Sequence, residues 1–385
     1  MKRVARFTAL VIAAAAGLAG CSTWNPLVAM GIQSEPAHKP TPLVAFDARM
    51  TPRIVWTASV GKSGGFALRP DIEGGKVYVA TADGVITIFD EDTGKVVTRT
   101  ETQKPISGGV EMAENRILVG SQKGEVVALD PNGKQAWVSS VAGEIIAPPS
   151  VSRKVAVVRT SDGRIFGLST EDGKRLWVFQ RPSPSLLLRS EAGAIAMGGD
   201  VLAGYPNGKL IALDIDDGKL TWEVTVSLPK GATELERIAD VAGLPVLDGG
   251  NVCAAAFQGK VACFEIQTRN LIWSRDVSTA HNLARDTRYI FVVDDAGAVH
   301  ALDKSSGASV WKQDGLKYRK VTAPLVVGGV VVVADGFGFV HVLSADDGAF
   351  IGRLATDGSP INVVVPATGG VAFQTAKGSV SLVRF

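Results

Sequence analysis

The stretch NGKLIALDIDDGKLTW, residues 207–222, contains the unit from which the fold of this chain can be predicted. Its Asn-Gly pair favours a tight hairpin turn, because glycine adopts the positive φ that such turns need. The alternating apolar residues that follow are typical of a β-strand. The motif Asp-x-x-x-Gly-Lys then predicts a second tight turn, before a strand that ends in Trp222. Two hairpin turns within 16 residues indicate an antiparallel β-sheet.

The same unit occurs eight times along the chain. Its first glycine recurs at intervals of 38 to 51 residues, at Gly84, Gly124, Gly163, Gly208, Gly259, Gly297, Gly338 and Gly378. A tryptophan ends the last strand at six places, Trp56, Trp137, Trp177, Trp222, Trp273 and Trp311. Four strands in about 40 residues is the period of a propeller blade, and a blade cannot bury both of its faces alone. The repeats therefore predict an all-β fold, an eight-bladed β-propeller.

The two ends of the repeat array predict how the ring closes. The last unit stops at Phe385, after its third strand, whereas Arg53–Trp56 has the pattern of an outer strand without a blade of its own. We expect this N-terminal strand to pair with the C-terminal blade and complete it, so that no sheet edge is left open at the seam. The propeller would then span residues 53–385.

The N-terminus has the pattern of an export signal. Basic residues precede a short apolar run from Phe7 to Leu18, which predicts a signal peptide over residues 1–20. Leu18-Ala19-Gly20-Cys21 resembles the lipobox of bacterial lipoproteins, which implies a diacylglycerol on the Cys21 thiol. Ser22 follows instead of aspartate, so the sorting pattern implies the outer membrane. Residues 21–52 are rich in proline and alanine and are predicted to form a flexible leash.

Two cysteines remain beyond the lipobox, Cys253 and Cys263, on either side of a hairpin turn at Gln258-Gly259. A two-residue loop would place their side chains on opposite faces of the sheet, whereas a three-residue loop would place them opposite each other. We expect two buried thiols rather than a disulfide.

Charge and motifs exclude several function classes. The 40 Lys and Arg residues nearly balance the 38 Asp and Glu residues, and no basic run carries interleaved aromatic residues, so no nucleic acid is expected as a partner.

Gly61–Gly65 matches the Gly-x-Ser-x-Gly pattern of a nucleophile elbow, but no helix is predicted after it. His300 and His341 occupy the same place in adjacent repeats, where other repeats have non-ligating residues. We expect a structural slot there and no metal site.

The unit Ala-x-Asp-x-x-x-Gly-Lys-x-x-Trp resembles the tryptophan-docking repeats of quinoprotein dehydrogenases, which bind pyrroloquinoline quinone. A periplasmic quinoprotein is therefore the alternative function. Those enzymes use an adjacent cysteine pair and a tryptophan that stacks on the quinone. This chain has no adjacent cysteines, and its one tryptophan outside the docking positions, Trp24, lies in the leash. We expect no cofactor and no enzymatic activity.

Two connections between blades are longer than the others, and they follow Trp177 and Trp222. Because both join an outer strand to the next inner strand, they are predicted to be neighbours on one face of the ring. The first contains Leu186-Leu187-Leu188-Arg189, which would either pack into the axial channel or form an exposed apolar patch with an arginine anchor. The second contains the mixed charges of residues 234–241, which would either solvate a loop or form the polar rim of such a patch.

Together the lipobox, the eight blades without a quinone site, Pro-Ser-Leu-Leu-Leu-Arg in the first connection and Glu-Arg-Ile-Ala-Asp-Val in the second resemble the BamB family of outer-membrane lipoproteins. The resemblance implies a scaffold in the β-barrel assembly (BAM) complex, at the periplasmic face of the outer membrane. Its partners would be the POTRA domains of BamA and nascent outer-membrane β-barrel proteins. Another lipoprotein adaptor is a further alternative. Partner binding is carried over to Leu186, Leu188, Arg189 and Asp240.

The chain departs from the BamB pattern at one position. A second acidic residue is usual two positions after Asp240, where this chain has Ala242. The resemblance therefore implies that the second connection contacts the partner more weakly or in a different way.

Overall fold

The structure, a computed structural model, describes residues 38–182, 184, 186–189 and 193–385. The predicted signal peptide and Cys21 lie outside these residues. Within them, every regular element is a strand: 32 strands form eight sheets of four. The predicted eight-bladed propeller is therefore confirmed.

The first strand, β1 (Arg53–Ser59), belongs to the last blade, and each other blade consists of four consecutive strands. Blade one contains β2 (Asp71–Glu73), β3 (Lys76–Ala80), β4 (Val85–Asp90) and β5 (Val96–Glu101). Blade two contains β6 (Gly108–Ala113), β7 (Arg116–Gly120), β8 (Glu125–Leu129) and β9 (Gln135–Ser140). Blade three contains β10 (Ser150–Ser152), β11 (Val155–Arg159), β12 (Ile165–Ser169) and β13 (Arg175–Phe179). Blade four contains β14 (Ile195–Met197), β15 (Asp200–Tyr205), β16 (Lys209–Asp214) and β17 (Leu220–Thr225).

The remaining blades repeat this order. Blade five contains β18 (Val246–Asp248), β19 (Asn251–Ala255), β20 (Val261–Glu265) and β21 (Leu271–Arg275). Blade six contains β22 (Ala284–Arg285), β23 (Tyr289–Val293), β24 (Val299–Asp303) and β25 (Ser309–Gln313). Blade seven contains β26 (Leu325–Val327), β27 (Val330–Ala334), β28 (Phe339–Ser344) and β29 (Phe350–Ala355). Blade eight contains β30 (Ile361–Ala367), β31 (Gly370–Thr375), β32 (Ser379–Arg384) and β1.

The core lies between neighbouring blades. The two middle strands of a blade are buried along nearly their whole length, as in β3 and β4, because neighbouring blades cover both of their faces. The outer strand β5 is largely exposed. First strands of neighbouring blades contact one another, for example β10 and β14, so they surround the axis. This explains why the middle strands have continuous apolar sequences.

Tryptophans join neighbouring blades. The indole ring packs over the αL glycine of the next blade, so that a Cβ added at Gly173 would lie 2.5 Å from the Trp137 ring. Five indole N–H groups donate to a backbone carbonyl of the next blade: Trp56 to Glu91 (2.7 Å), Trp137 to Thr170 (3.0 Å), Trp177 to Ile215 (2.7 Å), Trp273 to Lys304 (2.8 Å) and Trp311 to Ala345 (2.9 Å). Trp222 is the exception among the described residues, and the next blade, blade five, has Arg269 in place of the glycine.

The ring closes as predicted. Strand β1 pairs antiparallel with β32, from Arg53 opposite Arg384 to Ser59 opposite Ser379. The hydrogen bond from Trp56 to Glu91 then connects blade eight to blade one. The first and last strands of the propeller therefore share one sheet.

The expectation of two unpaired thiols at Cys253 and Cys263 is wrong, because the structure joins them in a disulfide. The hairpin between β19 and β20 has a three-residue loop, Phe257–Gly259, and Ala256 N–H donates to the Lys260 carbonyl. That register places the two cysteines directly opposite each other, with their Cα atoms 4.0 Å apart. The sequence left both loop lengths open, and the longer one aligns the sulfur atoms.

The predicted leash has to be shortened at its C-terminal end. Residues 40–52, here called the N-terminal strap, lie along blade seven and the connection that leads into it. Thr41 N–H donates to the Lys317 carbonyl in that connection at 3.0 Å, and Met50 N–H donates to the Ile351 carbonyl of β29 at 2.9 Å. Blade seven has Gly352 at the tryptophan position, and a Cβ there would lie 3.0 Å from both Met50 O and Pro52 Cδ. The strap therefore fills the space that an indole occupies in other blades.

Candidate functional site

The two long connections lie side by side on one face of the ring. Residues 180–194 join β13 to β14, and residues 226–245 join β17 to β18. They share this face with the hairpin turns between the second and third strands of each blade, as the hydrogen bond from Val226 N–H to the Gly208 carbonyl (2.7 Å) shows. The two connections touch directly, because Leu188 N–H donates to a carboxylate oxygen of Asp240 at 2.8 Å.

Asp240 is a buried residue that accepts hydrogen bonds from other segments of the site. Its side chain is buried, with 6% of the residue exposed, and its second carboxylate oxygen accepts a hydrogen bond from Asn207 N–H at 3.3 Å. Its own carbonyl oxygen accepts a hydrogen bond from Phe257 N–H at 2.9 Å. The predicted polar rim therefore does not include Asp240, whose carboxylate is directed at backbone N–H groups of the protein itself. A buried carboxylate of this kind needs such donors to offset its desolvation.

The run of three leucines is partly exposed and partly buried, so each of the two alternatives holds for part of it. Leu186 is 43% exposed, and it lines a surface depression together with Pro184, Glu234, Arg237 and Ile238. This depression lies where the two connections meet.

Leu187 and Leu188 are half-buried instead. They line a small, partly open cavity with Arg159, Asp240 and Ala242. Ala242 is buried in that cavity wall, so the departure from the family pattern changes the inside of the site and not its exposed surface.

Arg189 is the exposed charge of the first connection. Its side chain is 61% exposed, and its guanidinium donates to a Glu144 carboxylate oxygen at 2.7 Å. Glu144 lies between β9 and β10, and Gln122 also donates to it, at 2.8 Å. An ion pair this exposed contributes at most about 1 kcal/mol. A carboxylate on a partner could therefore replace Glu144 at low cost.

Arg159 and Tyr205 form a cluster beneath the first connection that the sequence analysis missed. Arg159 lies 5.2 Å from the Tyr205 ring centroid and donates to the Gly193 carbonyl at 3.3 Å, near the end of the connection. Arg181, at its beginning, lies 5.6 Å from the same ring. Burial raises the pKa of Tyr205 to about 12, and burial lowers the pKa of Arg159. The cluster thus holds both ends of the connection.

A signal for this cluster was present in the repeats. The fourth residue before the hairpin glycine is small or apolar in most units, namely Ala80, Gly120, Gly204, Ala255, Val293 and Ala334. Blade three has Arg159 there. A charged residue in a slot that is small or apolar in most blades indicates a role outside the blade core.

The other candidate motifs have local partners. His300 lies 2.8 Å from an Asp294 carboxylate oxygen, and His341 lies 3.2 Å from one of Asp335. In the part of the chain that the structure describes, no group of three or more His, Cys, Asp or Glu side chains could hold a metal ion. Residues 61–65 connect β1 to β2 without a helix. The same described ranges contain no helical segment with the length and hydropathy of a membrane span.

Comparisons with known proteins give a consistent result. Residues 82–313 match the family model of the outer membrane protein assembly factor BamB. The chain is 40% identical to a protein of that description from Burkholderia pseudomallei over 365 residues, 94% of this chain and 93% of the relative. The crystal structure of BamB from Moraxella catarrhalis is similar with a TM-score of 0.81 and 25% identity, over 87% of this chain and 100% of that chain.

A quinohemoprotein alcohol dehydrogenase from Comamonas testosteroni is also similar. The TM-score is 0.67 and the identity 14%, over 86% of this chain and 76% of that chain. This likeness concerns the propeller fold alone.

Proposed function

Because the chain belongs to the family of the outer membrane protein assembly factor BamB, we propose that it is a scaffold subunit of the β-barrel assembly complex. It binds the periplasmic POTRA domains of BamA and assists the insertion of β-barrel proteins into the outer membrane. The observation that carries this proposal is the joining of the two long connections by Asp240, which presents Leu186 and Arg189 together on one face.

The binding site combines an apolar anchor with an exposed charge. Leu186 supplies apolar surface beside the depression, and Arg189 supplies a guanidinium whose present ion pair is weak. An exposed apolar patch marks an interaction site, and arginine is enriched among the residues that dominate protein-binding energy. Leu188 and Asp240 act indirectly, by fixing the conformation in which the first connection meets the partner.

We propose no catalytic role for this chain. Its relatives are described as assembly factors, and its likeness to quinoprotein dehydrogenases extends to the fold alone. A quinoprotein would change its absorbance when pyrroloquinoline quinone and calcium are added. We expect the spectrum of the purified protein to stay unchanged.

We further propose that the mature chain begins at the lipid-modified Cys21 and that the lipid holds it at the periplasmic face of the outer membrane. The lipobox at residues 18–21 supports this. The propeller domain then includes the N-terminal strap and begins at residue 40, since the strap packs on blade seven. Replacing Cys21 by alanine should release the protein from membranes that are washed in high salt.

The experiment that tests the function is a pull-down with BamA from detergent-solubilised membranes, followed by titration of the purified periplasmic domains. Leu186→Ala and Arg189→Ala should each weaken binding about tenfold or more, because hot-spot residues carry most of the affinity. The unfolding temperature should not change.

Two exposed residues away from the site serve as controls. Arg153→Ala removes an arginine that is 57% exposed and also ion-paired, at the turn between β10 and β11 on the opposite face. Leu176→Ala removes a leucine that is 49% exposed on β13. Both should bind like the wild type. Unchanged BamA binding by both site variants would reject the proposed site.

A further inference from the structure

The second long connection was described from its sequence by the mixed charges of residues 234–241, but it also exposes apolar surface. Among the described residues, the two most exposed large hydrophobic side chains are Leu228, at 68%, and Leu235, at 65%. Both belong to the connection between β17 and β18. Two ordered, exposed leucines on one loop indicate a binding surface better than leucines scattered over the protein would.

Leu235 is held on a rigid turn. Glu236 accepts hydrogen bonds from Ala232 N–H at 2.7 Å and Thr233 N–H at 3.1 Å, while Thr233 Oγ1 accepts one from Glu236 N–H at 3.3 Å. This reciprocal arrangement is a capping box, which fixes a single turn at its start. The N–H groups of Thr233 and Ala232 lower the pKa of Glu236, so its charged form supports the turn at neutral pH.

The hairpin between β19 and β20 contacts the same turn. With its amide nitrogen facing the turn, Gln258 lies within hydrogen-bond distance of the carbonyl oxygens of Leu235 (3.1 Å), Glu236 (3.1 Å) and Ile238 (3.2 Å). Gln258 is the central residue of the loop between β19 and β20, the strands that the disulfide joins. The turn therefore rests on a covalently closed hairpin, and little conformational entropy is lost when Leu235 binds a partner.

Leu235 lies beside the site already described. Glu234, Arg237 and Ile238 line the same depression as Leu186. Leu235 thus lies on the same turn as three residues that line the depression beside Leu186.

We propose that Leu235, with Leu228, forms a second apolar anchor for the same POTRA-domain surface that contacts Leu186 and Arg189. This inference rests on the proposed function. It requires the partner surface to have an apolar patch that extends across both connections. Polar groups of the partner would face Arg189 and the charged residues of the turn. The contact from the second connection is thus apolar.

The test compares polar substitutions of exposed leucines in the full mature protein. Leu235→Asn should weaken binding to the purified periplasmic domains of BamA about tenfold, and Leu228→Asn should weaken it less, because no capping box fixes its backbone. Leu271→Asn changes a leucine that is 55% exposed on β21 and should bind like the wild type. All three should unfold at the wild-type temperature, since each changes only exposed surface.

A second variant tests the rigidity of the turn. Glu236→Ala removes the cap and leaves Leu235 in place, and it should weaken binding several-fold in the wild-type background but hardly at all in the Leu235→Asn background. Wild-type binding by Leu235→Asn, while Leu186→Ala still loses BamA, would overturn the second anchor and leave the proposed function intact. If Leu186→Ala and Arg189→Ala also bind like the wild type, the proposed site fails as well, and if the wild-type protein itself does not bind BamA, the proposed function fails.

Discussion

The carboxylate of Asp240 accepts the backbone N–H of Leu188 across 2.8 Å, so one buried side chain of the second long connection determines the path of the first. The same carboxylate also accepts Asn207 N–H. A single residue therefore couples blades four and five to the loop that presents Leu186. Variants of Asp240 should affect partner binding although this carboxylate is buried.

Replacing Asp240 by alanine should reduce both stability and binding. Two backbone N–H groups would lose their acceptor, at a cost of about 1–3 kcal/mol each if they stay buried. Hydrogen exchange should accelerate at the Leu188 amide, and affinity for BamA should fall. Glu144→Ala is the matched control, because it removes a half-buried carboxylate that accepts hydrogen bonds only from the side chains of Arg189 and Gln122 in the described residues, and it should change stability by about 1 kcal/mol or less. Wild-type exchange at Leu188 in the Asp240 variant would contradict this role.

Deleting Arg53–Trp56 should cost far more stability than deleting residues 22–39. The first deletion removes the β1 residues that face β32 and the indole that bonds to blade one, and it leaves a bare edge at β32. Thermal unfolding of the two truncations would measure the difference. Equal unfolding temperatures would show that strand pairing at the seam adds little.

Gly173→Ala should test the tryptophan docking. The new Cβ would lie 2.5 Å from the Trp137 ring, at a backbone φ of 73°, and we expect a loss of about 2–4 kcal/mol in the free energy of unfolding. Gly198→Ala provides a control with a similar φ of 59° but no atom within 4 Å of the new Cβ. It should lose only about 1–2 kcal/mol, the cost of the left-handed backbone alone. Similar losses in both variants would argue against the packing explanation.

Removing the disulfide with the double variant Cys253→Ala and Cys263→Ala should lower stability by about 2–3 kcal/mol, the entropy of closing a loop of this length. The cysteines are separated by 10 residues. Urea unfolding would give the free-energy difference. Thiol titration of the denatured wild type without reductant should find neither cysteine reactive, and two reactive thiols would contradict the pairing.

The stability of this propeller should depend on pH because Glu111 titrates. Burial raises the pKa of Glu111 to about 7, against the opposing effect of Arg69, whose guanidinium lies 2.9 Å away, and with a smaller contribution from Asp71 in the raising direction. In the unfolded chain, a glutamate has a pKa of about 4.3. Between these two values the folded protein holds a proton that the unfolded chain has released, so this group destabilises the fold as the pH rises.

Glu111→Gln should remove this dependence. The stability of the variant relative to the wild type should increase by about 1–3 kcal/mol between pH 4.5 and pH 7, and then stay constant. Urea unfolding of both proteins at intervals of half a pH unit would measure it. A stability difference that stays constant over this range would show that Glu111 titrates at its ordinary pKa.

The repeats made the architecture predictable because their information is local. The turn glycines and the docking tryptophans recur with blade spacing, so the blade number, the seam and the packing of Trp137 or Trp177 all follow from sequence position. The two long connections were predictable as exceptions to the same repeat. Their contact with each other followed from the ring geometry.

Other features depend on distances that the repeat does not encode. The pairing of Cys253 with Cys263 depended on one residue in a hairpin loop. The strap has no periodicity, and it docks because Gly352 lacks the side chain that its neighbours have. Arg159 was visible as an unusual residue, but its partner Tyr205 comes from the next blade. The burial of Asp240 likewise depends on N–H groups from two other segments.

The shared sheet of β1 and β32 also determines the order in which the parts of the molecule can fold. Thr57 and Ser381 are hydrogen-bonded at 2.9 Å across 324 positions of sequence, so the first strand made has to wait for the last. Seven blades can assemble one after another from local contacts, which form faster than distant ones. The eighth cannot be completed until β32 is available to pair with β1. The ring can therefore close only in a chain that contains β32, because a chain that ends before β32 leaves β1 without a partner.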